Sequence, residues 1–133
     1  VTSPGDAVDA MTVTAYQYRD NSLYVQASRG YNTENVVKPD FAAPGVDILT
    51  ASNRAGAEFV PETGTSLAAA QTAGMAALLF EWSLIRENEP YFTGNSIKNY
   101  LSRGAVRDLN LSYPNQEWGY GRLDLYHTFE LLT

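Results

Sequence analysis

The feature that most constrains this chain of 133 residues is the apolar run Leu67–Phe80. Eleven of its fourteen residues are apolar, and only Gln71, Thr72 and Gly74 interrupt it. Because the run has no polar face, it predicts a helix, about Ser66 to Ile85, that is buried on all sides in a sizeable core. Gly74 costs roughly 1 kcal/mol relative to alanine inside a helix, which indicates that another element packs tightly against it.

Ser66 lies where this predicted helix begins, after the turn-prone pair Thr63-Gly64. The unpaired backbone N–H groups and the positive dipole end of a helix start would favour an oxyanion beside Ser66. A serine becomes a nucleophile only when a base lies within about 2.6 to 3.2 Å of its hydroxyl. The local pattern alone therefore favours an ordinary N-cap at Thr65 or Ser66.

The wider motif points to catalysis. Residues 64–74 read G-T-S-L-A-A-A-Q-T-A-G, and this segment resembles the one around the catalytic serine of the subtilisin-like serine proteases (subtilases), G-T-S-x-A-x-P-x-x-A-G. Ala70 stands where the family usually has proline, and Gln71 stands where it often has histidine. The resemblance implies that Ser66 is the nucleophile, that its backbone N–H donates to the oxyanion, and that Gly64 and Thr65 shape the approach.

Three further motifs resemble the family in the right order. Residues 38–48 read K-P-D-F-A-A-P-G-V-D-I, similar to K-P-D-x-x-A-P-G-x-x-I, a strand that enters a Pro-Gly turn and leaves as another strand. Ser28-Arg29-Gly30 resembles the S-S-R-G turn. Ser3-Pro4-Gly5, followed by residues 12–15, resembles a loop and a buried strand. The resemblance runs from about Val1 to the C-terminus and implies a serine endopeptidase that works through an acyl-enzyme on Ser66.

A complete subtilase catalytic domain is roughly twice as long as this chain, so the resemblance implies that residues 1–133 are its C-terminal half. The triad order of the family is Asp, His, Ser, and the chain contains no Gly-His-Gly-Thr motif. The oxyanion Asn and the specificity walls are also expected upstream. The isolated chain is therefore expected to be inactive. Its expected partners are the missing N-terminal half, a pro-segment and a peptide or protein substrate, and a truncated sheet is expected to self-associate.

Periodicity and turn signals predict strands first and helices later. The predicted strands are Met11 to Tyr16, Leu23 to Ala27 and Val46 to Ala51. The further predicted helices are Ser96 to Arg103, with Gly104 as a stop, and Asp124 to Leu132. Standing alone, this order would suggest an α+β fold. Completed by the missing half, the chain resembles the α/β three-layer subtilase fold, in which a parallel sheet lies between helices.

Other candidate catalytic residues are less favoured. His127, the only histidine, follows Ser66 and Asp108 or Asp124 in the order used by α/β-hydrolases, but the G-x-S-x-G elbow of those enzymes is absent. Helical spacing also puts His127 on the polar side of the terminal helix. Asp40, which follows a proline in a loop, is interpreted as a turn residue that accepts backbone N–H bonds rather than as a triad acid.

Composition excludes several classes of function. A net charge of −6 without a basic stripe argues against nucleic-acid binding. The absence of cysteine excludes disulfides and a cysteine nucleophile. The longest apolar run contains Gln71 and Thr72 and is too short to span a bilayer, so no membrane span is expected. The aspartates do not have the spacing of a calcium loop, so no metal or cofactor is expected here, and family calcium sites would lie outside this chain.

The rival interpretation is a pseudoprotease, a non-catalytic subtilase fold that binds a peptide, an inhibitor or another protease. This alternative stays open because the chain does not contain the His and Asp of the triad. A purely structural module is disfavoured, since Gly64 and Thr65 have no evident packing role. The segments 68–70, 80–82 and 115–126 resemble subtilases of anaerobic spore-forming bacteria, a group that includes the germination proteases, and this resemblance favours a secreted or spore-associated protein.

Overall fold

Strands come first and helices later in the computed structural model, which describes residues 1–132. The strands of this part of the chain are β1 (Val13–Tyr16), β2 (Phe41–Pro44), β3 (Ile48–Ala51) and β4 (Phe59–Glu62). Its helices are α1 (Thr65–Phe80), α2 (Gly94–Gly104) and α3 (Leu125–Glu130), and the π-helical turn Glu81–Ile85 extends α1. The order of elements predicted from the sequence is therefore confirmed.

β1 and β2 form the parallel centre of the fold, in a register that pairs Val13 with Phe41. On the other edge of β2, Ala42 N–H donates to the Gly121 carbonyl at 3.0 Å, and the Ala42 carbonyl accepts from Leu123 N–H at 2.8 Å. Residues 121–123 therefore extend the sheet beyond β2, and α1 packs against both strands. The shared core contains Ala15, Phe41, Ala43, Ala68, Leu79, Phe92, Ile97, Leu101 and Leu123.

Arg122 fixes this late segment of the chain against the end of β1. Its guanidinium lies 5.9 Å from the ring centroid of Tyr16 and 5.8 Å from that of Trp118. Burial raises the pKa of the Tyr16 phenol, and the Arg122 guanidinium lowers that pKa in part. Tyr16 therefore stays neutral near pH 7 and contributes to packing through its ring.

The β3–β4 hairpin is antiparallel and pairs Ile48 with Glu62. Leu49 and Phe59 are both more than half exposed, so the hairpin adds little to the core of residues 1–132. The predicted strand Val46–Ala51 is confirmed from residue 48 onward, whereas β4 was not predicted. Its sequence, F-V-P-E, contains a proline, which lowers the strand signal and is tolerated because β4 lies at the edge of the hairpin.

The predicted strand Leu23–Ala27 is wrong. The structure forms only a single antiparallel bridge between Tyr16 and Leu23. Tyr24 N–H donates to the Ala15 carbonyl at 3.0 Å, and the chain then turns, with Ala27 N–H donating to the Tyr24 carbonyl at 3.0 Å. The apolar residues in this segment suggested a strand, but no neighbouring strand continues the ladder beyond the bridge.

α1 is not buried on all sides within residues 1–132, contrary to the prediction. Its fully buried residues are Ala68, Thr72 and Leu79, and Leu78 is 50% exposed. A Cβ placed on Gly74 would meet no atom within 4 Å, so the tight packing expected there is absent from the described residues. One whole apolar face of α1 is open. The exposed residues are Ala69, Ala70, Ala73, Gly74, Ala77, Leu78 and Phe80.

The helix ends differ from the prediction in two ways. Gly64 is the N-cap of α1 and makes no side-chain capping bond, so neither Thr65 nor Ser66 is the cap. α2 begins two residues before the predicted Ser96, because Thr93 and Ser96 form a reciprocal capping box. Gly104 is the last residue of α2 rather than a left-handed stop, and a Cβ on it would lie 2.6 Å from Thr128 Cα. Gly104 therefore lets α2 approach α3 closely.

A buried ion network joins the loop before β1 to the start of β2. The Asp40 side chain accepts from Thr12 N–H at 2.7 Å and from Lys38 Nζ at 2.9 Å. Lys38 is 0% exposed and also donates to the Ala10 carbonyl. Asp40 thus accepts a backbone N–H, as predicted, but it also neutralises a buried ammonium. A buried charge without such a partner is strongly unfavourable.

The helical stretch Thr65–Ile85 contains 21 residues, and an 18-residue window of it has a mean hydropathy of 1.2, so by length and composition it could cross a membrane. The apolar run of residues 67–80, which was predicted to be too short for a span, is only part of this longer helix. A single helix of this kind is weak evidence for a span, because core helices of globular proteins pass the same test. Its packing against β1 and β2 favours a core helix.

Replacing Asp40 by alanine is expected to lower the free energy of unfolding by about 3–5 kcal/mol, because the ammonium of Lys38 stays buried without a counter-ion. The measurement is urea unfolding followed by circular dichroism. The control is Glu62→Ala, which breaks the exposed Arg54–Glu62 pair and should cost less than about 1 kcal/mol. Equal losses for the two variants would contradict a stabilising role of the Asp40 network.

Candidate active site

Ser66 is the second residue of α1 and its side chain is exposed. The Gly64 backbone that precedes it is extended, and the helix start carries no side-chain cap. Within residues 1–132, neither the Ser66 hydroxyl nor its backbone N–H forms a hydrogen bond. Ser66 is therefore not an ordinary capping serine, and both its hydroxyl and its N–H are available to a bound molecule.

The Pro44-Gly45 turn after β2 determines where α1 begins. Gly64 N–H donates to the Gly45 carbonyl at 2.8 Å, and Gly45 N–H donates to the Tyr16 carbonyl at 3.0 Å. A Cβ on Gly45 would lie 2.6 Å from Ala15 Cβ and 2.8 Å from the Gly64 carbonyl oxygen. Only glycine therefore fits between β1 and the loop that carries Ser66. The two sequence motifs, residues 38–48 and residues 64–74, meet at this contact.

Gln71 adds a second connection between the same two motifs. Its Nε2 donates to the Pro44 carbonyl at 3.0 Å, from the position where the family often has histidine. The Thr63 hydroxyl accepts from Asp47 N–H at 3.0 Å, on the other side of the turn. The loop before Ser66 is thus bonded to the Pro44-Gly45 turn by backbone and side-chain groups, which restricts the direction of the Ser66 side chain.

An open cleft of about 430 Å³ lies next to Ser66. One wall comes from α1 and its first turn, through Thr65, Ser66 and Ala69. The other wall, called the 10–13 wall below, is formed by residues 10–13 with Pro4 and Gly5 beside them. The prediction that the specificity walls are encoded elsewhere stays a prediction, although residues 10–13 contribute one side of this cleft. The Ser3-Pro4-Gly5 motif was the available signal, since it precedes a strand that reaches Ser66.

The other candidates do not gather around Ser66. The His127 side chain is exposed, with Nδ1 3.4 Å from Glu130 Oε2, and its backbone N–H donates to the Asp124 side chain at 2.9 Å. Asp124 is therefore the N-cap of α3. Asp108 accepts from Asn110 N–H in a local turn. Asp40 binds Lys38, so it is not a triad acid within residues 1–132.

Gly64 is the N-cap of α1, and Thr65, its first residue, lines the cleft. Their role in shaping the approach to Ser66 stays a prediction. In the described part of the chain, no group of three or more His, Asp or Glu side chains could hold a metal ion. The absence of a metal or cofactor from the chain stays a prediction.

The sequence profile of the subtilase family (peptidase S8) matches residues 1–121. The chain is 29% identical over 123 residues to serine protease AprX of Bacillus subtilis (strain 168), covering 79% of this chain and 26% of AprX. It is 28% identical over 135 residues to the uncharacterized protein aq_aa18 of Aquifex aeolicus (strain VF5), covering 86% of this chain and 58% of that protein. The chain therefore spans less than two thirds of the length of these relatives.

Solved structures show the same similarity. The CspB protease of Clostridium perfringens superposes with a TM-score of 0.89 at 40% identity, over 98% of this chain and 28% of that one. The prenylagaramide maturation protease PagA superposes with a TM-score of 0.77 at 25% identity, over 98% of this chain and 45% of that one. The predicted subtilisin-like fold, with strands first and helices later, is confirmed.

Gly45→Ala is expected to displace the loop that carries Ser66, because its Cβ would lie within 3 Å of both Ala15 Cβ and the Gly64 carbonyl oxygen. The expected cost in the free energy of unfolding is about 1–3 kcal/mol, as for other overpacked sites. The control is Gly94→Ala, at a position where a Cβ would meet no atom within 4 Å and where φ is not positive. A loss at Gly45 no larger than that at Gly94 would show that the contact does not fix the loop.

Proposed function

The chain belongs to the subtilase family, and we propose from this premise that it is the C-terminal part of the catalytic domain of a serine endopeptidase with Ser66 as its nucleophile. The observation that carries the proposal is the environment of Ser66. Its hydroxyl and N–H make no hydrogen bond within residues 1–132, and Ser66 lines an open cleft at the start of a well-anchored helix. Gly64 and Thr65, which precede Ser66 in the family motif, shape the approach to the Ser66 hydroxyl.

In the proposed reaction, Ser66 Oγ bonds to the carbonyl carbon of the scissile peptide while its proton passes to a base. The carbonyl π electrons move to the oxygen, and the resulting oxyanion accepts a hydrogen bond from Ser66 N–H at the positive end of α1. The C–N bond then breaks, and the leaving amine takes the proton from the base. A water oxygen then bonds to the acyl carbon while its proton passes to the base, the bond from that carbon to Ser66 Oγ breaks, and Oγ takes the proton back from the base.

The base is not supplied by residues 1–132, since their one histidine pairs with Glu130 in α3. By the triad order of the family, a histidine oriented by an aspartate would come from a preceding segment. We therefore expect the isolated chain to be inactive, because a serine without a base is a weak nucleophile. The relatives named above are longer than this chain, which agrees with a missing segment.

Two surfaces support the proposal that an N-terminal half completes the domain. The first is the apolar face of α1, which a subtilase would cover with a further layer. The second is the outer edge of β1, where residues 1–132 bond only near its C-terminal end, from Tyr24 N–H to the Ala15 carbonyl and, just beyond β1, from Gln17 N–H to the Ser22 carbonyl. An added parallel strand at this edge would satisfy its free backbone groups. A pro-segment and self-association of the fragment stay predictions.

The germination-protease branch and a secreted or spore-associated location also stay proposals. The chain is 40% identical to the CspB protease of Clostridium perfringens and 25% identical to the PagA protease over the same share of the chain, which supports a branch that includes CspB. The substrate is proposed as a peptide or protein, with the 10–13 wall as part of its binding surface.

In the full-length protein, Ser66→Ala is expected to lower peptidase activity by about 10⁴-fold or more, because it removes the nucleophile. The same variant should lose labelling by a fluorophosphonate probe, which reports an activated serine without a known substrate. Ser112→Ala, an exposed serine that makes no side-chain bond in the structure, is the matched control and should label as the wild type does. Unlabelled wild-type protein, folded and free of its pro-segment, would favour the pseudoprotease.

Gly74→Ala tests whether a further layer covers α1. If α1 is covered, a new methyl group is expected to lower the free energy of unfolding of the full-length protein by about 1–3 kcal/mol. Urea unfolding gives this value, and Gly94→Ala, at an open position in α2, reports the effect of glycine removal alone. A stabilisation of about 1 kcal/mol at Gly74, as helix propensity predicts for an open face, would contradict the covering layer.

A further inference from the structure

The buried Asp40 carboxylate receives a second lysine besides Lys38. Lys98 Nζ, from the middle of α2, lies 3.3 Å from Asp40 Oδ1. The same ammonium donates to the Val8 carbonyl at 3.1 Å and to the Ala10 carbonyl at 2.9 Å. Three oxygens from the loop before β1 and from the start of β2 therefore surround one ammonium group.

Lys38 and Lys98 contribute differently to the structure: Lys38 neutralises Asp40, and Lys98 connects two elements. Lys38 lies two residues before Asp40 in the sequence, its side chain is 1% exposed, and the pair is neutral by itself. Lys98 comes from a different element and its side chain is 22% exposed. Its charge is therefore not needed to neutralise Asp40. What Lys98 adds is a connection between α2 and residues 8–10, which have no other hydrogen bond to a helix within residues 1–132.

This connection ends at the cleft. The Ala10 carbonyl, which both lysines contact, belongs to the first residue of the 10–13 wall, and Thr12 N–H donates to Asp40. The opposite wall, around Ser66, is fixed separately by the bond between Gly64 and Gly45. The two sides of the cleft are thus positioned by independent sets of contacts.

We propose that Lys98 is a positioning residue that fixes the 10–13 wall for substrate binding, an inference that rests on the proposed endopeptidase function. Loss of its ammonium frees the Val8 carbonyl and leaves the Ala10 carbonyl with Lys38 alone. The wall then moves relative to Ser66, while the Ser66 loop and the nucleophile keep their contacts. Lys98 therefore acts on the binding of a peptide that fills the cleft and leaves the reactivity of the serine unchanged.

The test compares Lys98→Met, Lys98→Arg and wild type in the full-length protein. For Lys98→Met, KM for a peptide substrate should rise by about 10-fold, the scale of a small misplacement, with kcat changed much less. The rate of fluorophosphonate labelling, by a probe too small to fill the cleft, should stay within about twofold of wild type. Lys98→Arg, which retains a cation with N–H donors, should restore KM in part.

Arg103→Met is the matched control, because it removes the same charge from an exposed position of α2. Should Lys98→Met not fold, Lys98→Gln, which keeps an N–H donor, replaces it in the comparison. An unchanged KM in an active Lys98 variant, or an equal rise in Arg103→Met, would overturn the positioning role and leave the proposed function standing. Equal losses in kcat and labelling would show a general structural role instead. Wild-type protein that neither cleaves peptides nor labels would overturn the proposed function itself.

Discussion

The close approach of Gly45 to Ala15 and to the Gly64 carbonyl is the constraint on which the rest of this structure depends. The Pro44-Gly45 turn leaves the central strand β2, and its glycine backbone bonds both to the end of β1 and to the residue that caps α1. A side chain at this point would separate the helix from the sheet. Because Gly45 has no side chain, the positive end of α1 and Ser66 lie directly at the edge of the parallel strands.

A second set of contacts, made by charges, completes the cleft. The network of Asp40 with two lysines lies at the start of β2, and through Thr12 and Ala10 it reaches the wall opposite Ser66. Burial makes the Asp40–Lys38 pair sensitive to the removal of either member, because the remaining charge would lose its main partner in a low-dielectric region, whereas the more exposed Lys98 adds a connection to α2. The glycine contact thus positions the nucleophile and the ion network positions the surface it faces, both from β2.

The sequence predicted the order of the elements and the three helices to within a few residues at most boundaries. Local periodicity defines these helices, but the Thr93–Ser96 capping box was overlooked, so α2 begins two residues before its predicted start. The prediction failed at Leu23–Ala27, because no neighbouring strand continues the ladder beyond one bridge. It missed β4, because the proline in F-V-P-E lowers the strand signal. The apolar run and the Thr63-Gly64 turn placed Ser66 correctly at a helix start. The local pattern alone favoured a cap there, and only the family motif indicated a nucleophile.

The sequence by itself determined the family, the helix that carries Ser66 and the identity of the candidate nucleophile, since these depend on short contiguous motifs and on composition. Only the tertiary structure decided that Ser66 is not a cap, that Lys98 joins α2 to the 10–13 wall, and that one face of α1 is open. Each of these three features depends on contacts between residues that are far apart in the chain. The open face of α1 also depends on whether the described residues include a layer that packs against it. A run that is apolar all round indicates that a helix should be covered, but it does not say which residues cover it.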